Sequence, residues 1–181
     1  MIIVLGHQKQ VGKDTAARAM AADGNVLVKS LADPLYRACR ELHRDFKSKD
    51  YYDSYPKQKH AKMSNGITPR EMLLGIGQKV KEVLGKRCWV DSLLAEAERS
   101  VKDHLVIPDV RFKEEVEALK EVDAIFIKVI RPGIDQPSDV ADDDLVGWNG
   151  WDREILNSGN QLELEAKAIR LYLDIIGAKN V

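Results

Sequence analysis

The sequence predicts an α/β protein built on a doubly wound parallel sheet flanked by helices. Three observations support this class. Five short strand-like segments alternate with helical segments along the 181 residues. The strongest of them are continuously apolar and rich in β-branched residues, which is typical of parallel strands covered on both faces. The first, Ile2–Leu5, runs through a glycine-bounded loop into an alanine-rich helix. In such sheets, ligands bind at the carboxyl ends of the strands.

The predicted strands are Ile2–Leu5, Asn25–Lys29, His104–Pro108, Ala124–Ile130 and Glu154–Leu156. Helices are expected over 16–22, from 33 toward 46, from 68 toward 84, and over about 89–102, 113–122 and 162–176. Two of them have clear start signals. Asp33 is predicted as the N-cap before Pro34, because this pair is favoured at helix starts. Thr68 is predicted as the N-cap before Pro69, with Glu71 completing a capping box.

Two polar stretches do not fit the sheet or its helices. Residues 47–66 combine tyrosines and lysines and are interpreted as a surface loop or short insertion over the site. Residues 131–153 are rich in Asp, Pro and Gly and are interpreted as a mobile lid. For both, the alternative is a plain solvated loop. The chain length otherwise indicates a single domain over 1–181.

Bulk properties restrict the function classes. The net charge of −1 does not favour a nucleic-acid polymer or an anionic membrane as partner. The apolar runs are too short to span a bilayer, and the N-terminus lacks the pattern of a signal peptide, so a cytoplasmic protein is expected. Cys39 and Cys88 are expected to be small buried apolar residues in a reducing compartment. No tight Cys/His cluster indicates a metal site.

The N-terminal MIIVLGHQKQVGKDT has the layout of a phosphate-binding P-loop: strand, glycine-bounded loop, Gly-Lys, helix. Backbone N–H groups of such a loop point at one spot, the helix dipole adds partial positive charge, and the lysine adds a full one. The alternative is an ordinary strand-to-helix turn carrying a lysine. The candidate nucleotide ligands are Lys9, Val11, Gly12, Lys13, Asp14 and Thr15.

This loop departs from the usual pattern in two ways. Five residues, His7–Val11, stand where four normally separate the first glycine from Gly-Lys. Asp14 follows Lys13 where a Ser or Thr normally binds Mg²⁺. We therefore expect Thr15 to reach a phosphate, and Mg²⁺ to be held through waters or by Asp14.

A second candidate lies at the end of the HLVIPDVR strand. Asp109, a carboxylate at the end of a buried strand, is placed to hold Mg²⁺ or its water, or to act as base toward an acceptor oxygen. Arg111 carries a planar guanidinium suited to a phosphate. By itself the pattern is weak, since strand ends often carry Asp as a turn or cap residue.

Further residues are candidate substrate ligands. Arg70 is predicted in the first turn of a helix, where positive charge is mildly unfavourable and so calls for another role. Arg131 lies at the start of the predicted lid, and Arg37 is a less specific candidate. Three tryptophans are candidates for stacking on a base, although core packing is the simpler reading of the first: Trp89, Trp148 and Trp151.

Taken in order, GKDT, LADPLYRACRELH, TPREMLLGIGQKVKEVLG, VIPDVRFKEEVEALK and IKVIRPG resemble the deoxynucleoside monophosphate kinases of tailed bacteriophages and their bacterial relatives. The resemblance implies an adenylate-kinase-like P-loop fold with a monophosphate-binding region near 33–100 and a small lid. It implies transfer of the ATP γ-phosphate to a deoxynucleoside monophosphate with Mg²⁺, in the host cytoplasm for a phage protein, and a dimer is plausible. It also assigns residues. These are the ATP loop Gly12–Thr15, Asp109 and Arg111 near the acceptor phosphate, Arg70 of TPRE, and Arg131 at the lid entry.

The sequence differs from these relatives in the predicted lid. Gln136-Pro137-Ser138 stands where relatives often have His before Pro-Ser, and an acidic run, Asp142–Asp144, follows with few cations. Three alternatives stay open: a small-molecule P-loop kinase resembling dephospho-coenzyme A kinase, a nucleotide-binding switch or ATPase, and a non-catalytic relative. Against the switch, no NKxD guanine-reading motif is present.

Overall fold

The computed structural model describes residues 1–6, 8–22, 24–134 and 144–179. The chain divides into two compact units. The first, here called the sheet unit, comprises Met1–Ser30 and Ala97–Val181. The second, the helical unit, comprises Leu31–Glu96. Its bounds are close to the 33–100 region for which monophosphate binding is predicted.

The sheet unit contains five strands in the order β2-β3-β1-β4-β5, and every neighbouring pair is parallel. The fold class predicted from the sequence is confirmed, and all five predicted strands are present. Because all strands run the same way, their carboxyl ends meet at one edge of the sheet. The strands are β1 Ile2–Gly6, β2 Val26–Val28, β3 His104–Val110, β4 Ile125–Ile130 and β5 Arg153–Leu156.

The helices are α1 Lys13–Met20, α2 Asp33–Leu42, α3 Lys49–Ser54, α4 Pro69–Leu84, α5 Cys88–Ala97, α6 Lys113–Lys120 and α7 Gln161–Lys179, with a 3₁₀ helix at Pro56–His60. In the sheet unit, α1 packs on α7, and both contribute to the core beneath the strands. In the helical unit, α2 packs on α4. No helix among the described residues is long and apolar enough to cross a membrane.

The start of α4 follows the sequence prediction in detail. The Thr68 hydroxyl accepts a hydrogen bond from the Glu71 backbone N–H at 3.2 Å, and the Glu71 carboxylate accepts one from the Thr68 N–H at 2.7 Å. Both bonds satisfy N–H groups that the first helical turn leaves without partners. The hydrogen bonds from Thr68 hold the pKa of Glu71 below its usual value.

The predicted start of α2 is wrong by one position. Ala32, with φ −77° and ψ −17°, is the N-cap, and Asp33 is the first residue of the helix. The Asp33 carboxylate still lies near the positive end of the helix dipole, where negative charge is favourable. Pro34 follows in the first turn, where its missing N–H costs nothing.

Other helix limits also differ from the prediction. Helix α1 begins at Lys13 rather than at 16, and α2 ends at Leu42 rather than toward 46. Helix α5 ends at Ala97 rather than near 102. Beyond it, the Ser100 side chain accepts a hydrogen bond from the Lys102 N–H at 3.1 Å. Such local side-chain bonds compete with continuation of a helix.

The interpretation of 47–66 as a loop is wrong for part of that stretch, because it contains α3 and the 3₁₀ helix. Ser48 caps α3 by accepting a hydrogen bond from the Tyr51 N–H at 3.2 Å. Tyr52 is 2% exposed and packs against Phe46 and Tyr36, with ring centroids 5.3 and 6.2 Å away. One inward-facing tyrosine therefore attaches a polar segment to the core of the helical unit.

The predicted lid, 131–153, lies partly outside the described residues, which omit 135–143. Its described end belongs to the packed sheet unit: Leu145 is buried, and the Asp144 carboxylate accepts a hydrogen bond from the Lys113 N–H at 2.6 Å. One member of the predicted acidic run thus caps the start of α6. Carboxylates are favoured at helix N-termini by the exposed N–H groups and the dipole.

Candidate active site

The loop between β1 and α1, here called the β1–α1 loop, has an irregular backbone that ends in a helix N-terminus. Gln10 and Gly12 both have positive φ, 60° and 102°. The Lys13 side chain is 7% exposed, and its ammonium donates a hydrogen bond to the Gln8 carbonyl oxygen. The lysine therefore folds back along the loop instead of extending into solvent. A cation and several backbone N–H groups are concentrated at one helix N-terminus, which suits an anionic ligand.

Gly12 is required by both conformation and space. Its φ of 102° is unfavourable for residues with a Cβ, and a Cβ here would lie 2.6 Å from Leu164 Cδ2 and 2.9 Å from Asn157 Nδ2. Asn157, 6% exposed, donates from Nδ2 to the Val11 carbonyl oxygen at 2.8 Å. The loop is thus held from behind by a residue that follows β5.

Gly6 ends β1 and marks another close approach. A Cβ on it would lie 2.3 Å from the Trp151 ring, so only glycine admits this packing. Trp151 in turn packs edge-to-face on Trp148, with centroids 4.5 Å apart, and Trp148 packs on Phe126 at 5.4 Å. Both indole rings therefore contribute to the packing of the sheet unit.

The strand ends beside β1 bring polar side chains together. Gly6 of β1 pairs in register with Val110 of β3, so Asp109 lies at the same edge of the sheet as the β1–α1 loop. The buried Ser30, which follows β2, donates a hydrogen bond from Oγ to Asp109 Oδ2. This bond orients the Asp109 carboxylate.

Arg111 follows β3, where the chain turns into α6. The Glu115 carboxylate accepts hydrogen bonds from the backbone N–H groups of Arg111 and Phe112, at 2.9 and 3.1 Å. Glu115 is buried, so these bonds fix the backbone from which the Arg111 side chain projects. The backbone of Arg111, two residues after Asp109 in the chain, is therefore held in a fixed position.

The remaining candidates of the β1–α1 loop differ in exposure. Val11 is fully buried, and its carbonyl oxygen accepts the hydrogen bond from Asn157. Asp14 is exposed in the first turn of α1, whereas Thr15 and Lys9 are partly buried. Arg131 is exposed directly after β4. The predicted loop residues therefore lie together, at the start of α1.

The helical unit carries three of the predicted substrate ligands. Arg70 is exposed in the first turn of α4. Arg37 forms an ion pair with Glu96 at 2.5 Å. Trp89 is partly buried, and its indole N–H lies 3.4 Å from the Gly77 carbonyl oxygen. Arg37 and Trp89 thus both have partners within the helical unit, which is consistent with purely structural roles for these two residues.

The donor set is compatible with Mg²⁺. Among the described residues, no group of three or more His, Cys, Asp or Glu side chains forms a metal site. Asp109, Asp14 and Thr15 offer oxygen ligands, which Mg²⁺ prefers, and Mg²⁺ usually takes only one or two carboxylates together with waters and substrate phosphates. A small number of oxygen donors beside a loop suited to phosphate agrees with this coordination preference of Mg²⁺.

Sequence reasoning missed three residues that organise this region: Asn157, Ser30 and Glu115. Asn157 directly follows β5 and Ser30 lies two residues after β2, so the rule that ligands bind at the carboxyl ends of parallel strands, which pointed to Asp109, also covers them. Their partners could not be read from the sequence, because Asn157 contacts the loop 146 residues away and Ser30 contacts Asp109 79 residues away. Glu115 has a local signal, an acid in the first turn of a helix.

Comparison with known proteins identifies a relative of this chain. No model of a protein family matches the chain. A protein of Acanthamoeba polyphaga mimivirus, named "Putative deoxynucleotide monophosphate kinase", is 30% identical over 151 residues, covering 74% of this chain and 76% of the viral protein. Identity of this size over most of both chains places the two proteins in one family. The chain belongs to the deoxynucleotide monophosphate kinase family.

Proposed function

We propose that this protein transfers the γ-phosphate of ATP to a deoxynucleoside 5′-monophosphate, giving ADP and the deoxynucleoside diphosphate. The observation that carries the proposal is the Lys13 loop at the N-terminus of α1, with Asp109 at the end of the neighbouring strand. Phosphoryl transfer needs little from the protein beyond positioning and charge stabilisation, and this arrangement supplies both.

On the donor side, backbone N–H groups of the β1–α1 loop are proposed to bind the ATP phosphates. Lys13 is the proposed ligand of the β- and γ-phosphates, exchanging its bond to the Gln8 carbonyl for phosphate oxygens. Lys9, Val11 and Gly12 contribute through the loop. The fixed φ of Gly12 and the Asn157 bond keep this backbone preorganised, which lowers the entropy lost on binding.

Asp14, Thr15 and Asp109 are the proposed holders of Mg²⁺, directly or through water. When bound, the ion neutralises charge on the phosphates. The bond from Ser30 holds the Asp109 carboxylate in one orientation. This carboxylate is the proposed partner of the ion or of the acceptor.

On the acceptor side, Arg111, which the family resemblance places near the acceptor phosphate, and Arg70 are the proposed ligands of that phosphate, and Arg131 is the proposed ligand of the transferring phosphate. A planar guanidinium group suits a phosphate because it can donate two parallel hydrogen bonds to two phosphate oxygens. Arg37 and Trp89 are weaker candidates for the same substrate, since each already has a partner in the helical unit.

We also propose that two copies associate through α7. Besides its buried face, α7 exposes a second apolar stripe with alternating spacings of four and three residues, as in coiled-coil seams. An antiparallel pairing of two such helices places Glu163 of one copy near Arg170 of the other. Concentration-dependent sedimentation tests this; a monomer at every concentration rules it out. The stripe consists of Leu162, Ala166, Ile169 and Leu173.

The reaction requires ATP, so we place the protein in the cytoplasm. Its two free cysteines, Cys39 and Cys88, agree with a reducing compartment. Neither a nucleic-acid polymer nor a membrane enters the proposed reaction.

The test is ADP formation from ATP and Mg²⁺ by purified protein offered each of dAMP, dCMP, dGMP, dTMP, the ribonucleotides and dephospho-coenzyme A. Turnover only with one or more deoxynucleotides supports the proposal and defines the base specificity. Turnover with dephospho-coenzyme A alone selects the related small-molecule kinase. Slow ATP hydrolysis unaffected by any acceptor selects a switch or ATPase.

The variant Lys13→Ala tests the role of the β1–α1 loop in turnover separately from its role in folding. Its turnover should fall by at least about 100-fold, since it removes the cation proposed to stabilise the transferring phosphate. Arg18→Ala changes an exposed cation on the same helix and should behave like wild type. Near-normal turnover of Lys13→Ala, with both variants folded by circular dichroism, contradicts the loop assignment.

A further inference from the structure

The helical unit contains a group of charges around a buried tyrosine, here called the Lys59 cluster: Tyr36, Lys49, Asp53, Lys59 and Arg70. Lys59 Nζ lies 5.6 Å from the centroid of the Tyr36 ring and 3.6 Å from Asp53 Oδ1. Lys49 Nζ lies 2.9 Å from Asp53 Oδ2. The same carboxylate therefore contacts two ammonium groups.

Arg70 belongs to this cluster through the packing of its helix. Helix α4, whose first turn carries Arg70, packs against both α2 and the 3₁₀ helix, which carry Tyr36 and Lys59. Burial lowers the pKa of Lys59, and the charges of Lys49 and Arg70 lower it further, while Asp53 raises it. Lys49, Arg70 and Asp53 thus all act on the Lys59 ammonium.

This arrangement is unfavourable for the helical unit by itself. The Lys59 side chain is only 26% exposed, so its ammonium has lost part of its hydration while two like charges act on it. Partial burial and like-charge repulsion both cost stability, and a neutral side chain would pack on Tyr36 without either cost. Excess cationic charge of this kind is typical of sites that receive an anion.

We propose that Lys59, together with Arg70, binds the phosphate of a nucleoside monophosphate, and that Lys59 is a ligand of the acceptor. A phosphomonoester carries nearly two negative charges at neutral pH, so the cations of the cluster attract it. The guanidinium supplies a planar fork and the ammonium a compact point charge. This inference rests on the proposed function, which supplies the class of acceptor.

The other members of the cluster are positioning residues. The Tyr36 ring supports the Lys59 stem and ammonium by a cation–π contact. Asp53 holds Lys49 and Lys59 on its two oxygens, so both ammonium groups stay near one place before the anion arrives. Binding of a dianion then relieves repulsion that the free protein carries, which adds to affinity for phosphate over neutral ligands.

The test compares Lys59→Gln with Lys57→Gln, which changes an exposed lysine on the same 3₁₀ helix. Binding of each deoxynucleoside monophosphate is measured by calorimetry without ATP, and KM is measured for acceptor and ATP at constant ionic strength. Lys59→Gln should weaken acceptor binding about tenfold or more, as expected for a charge-assisted bond, and leave KM for ATP within about twofold. Lys57→Gln should match wild type, and Lys59→Arg should recover much of the loss.

Stability of the ligand-free protein is the second measurement. Removing the repelled charge in Lys59→Gln should leave the urea midpoint unchanged or raise it. A large fall in the midpoint, or an equal rise of KM for both substrates, would show a structural cation and overturn the proposal. Acceptor affinity within about twofold of wild type would overturn it as well.

The outcomes also separate this inference from the proposed function. If wild-type protein binds monophosphates through Lys59 but transfers no phosphate, the site stands and the kinase proposal fails. If wild-type protein phosphorylates deoxynucleotides and Lys59→Gln is equally active at low acceptor concentration, the kinase proposal stands and the site fails.

Discussion

Replacing Asn157 by Ala tests whether the end of β5 controls the shape of the β1–α1 loop. The Asn157 amide donates a buried hydrogen bond to the Val11 carbonyl at 2.8 Å, and its own backbone N–H donates to the Ile130 carbonyl at 2.7 Å. The substitution removes the first bond and keeps the second. It also removes the side-chain atoms that face Gly12.

The expected loss of stability arises from the Val11 carbonyl oxygen, which the substitution leaves without its hydrogen-bond partner. A buried polar group that loses its partner costs about 1–3 kcal/mol. For a chain of this size, each kcal/mol lowers the melting temperature by about 2–4 °C, so a decrease of about 2–12 °C is expected. The freed loop samples more conformations, and ordering it again on binding should weaken ATP affinity several-fold.

The assay is urea unfolding together with calorimetric titration of ATP. Ser158→Ala is the matched control, because Ser158 is the next residue and is exposed. Its midpoint and ATP affinity should both equal those of wild type. The slope of the unfolding curve should be the same for all three proteins if only stability has changed.

Two results would refute this reasoning in different ways. An unchanged unfolding midpoint and an unchanged ATP affinity would show that the bond from Asn157 does not hold the loop. A lower midpoint with full ATP affinity would show that Asn157 supports the fold, while the loop keeps its shape without it.

Three further predictions concern single residues. Gly12→Ala should destabilise the protein by more than about 1 kcal/mol and abolish tight ATP binding. A left-handed residue with a Cβ is strained, and the new Cβ atom would clash with Leu164. A normal calorimetric ATP titration of this variant would contradict the prediction. The lowered pKa of Glu71 means that its capping contribution is complete above the usual Glu pKa and is lost as pH falls through the lowered value. The difference in urea midpoint between wild type and Glu71→Gln should therefore shrink between neutral and acidic pH, and a constant difference would count against the cap. Burial raises the pKa of both thiols, that of Cys39 to about 11, but Cys88 is only partly buried, so a thiol reagent at pH 8 should label Cys88 first; equal labelling rates would contradict this.

The sequence alone supports the sheet and the main phosphate-binding candidates for a simple reason. A buried parallel strand is a short apolar run, and the β1–α1 loop is contiguous from Gly6 to Lys13. Asp109 could be identified because it ends such a run. All these signals lie within a window of about ten residues, where hydrophobic periodicity and capping preferences are informative.

The helix limits were harder to predict because competing local interactions decide them. The backbone of Ala32 started α2 one residue early, and the Ser100 side chain accompanies the early end of α5. The 47–66 stretch looked polar throughout, yet Tyr52 turns inward and packs on Phe46. A single buried aromatic ring can thus order a segment whose average composition predicts a loop, when the ring completes an aromatic cluster.

Local pattern therefore established the parallel α/β sheet, the glycine-bounded loop with its lysine, and the strand-end carboxylate. The tertiary structure decided the contacts between distant residues: Asn157 behind the loop and Ser30 on Asp109 in the sheet unit, and Lys59 over Tyr36 within the helical unit. Apolar periodicity and turn chemistry act between neighbours in the chain, so the sequence reports them directly. Contacts between distant segments depend on strand order and on which faces become buried, and these exist only once the whole chain has packed.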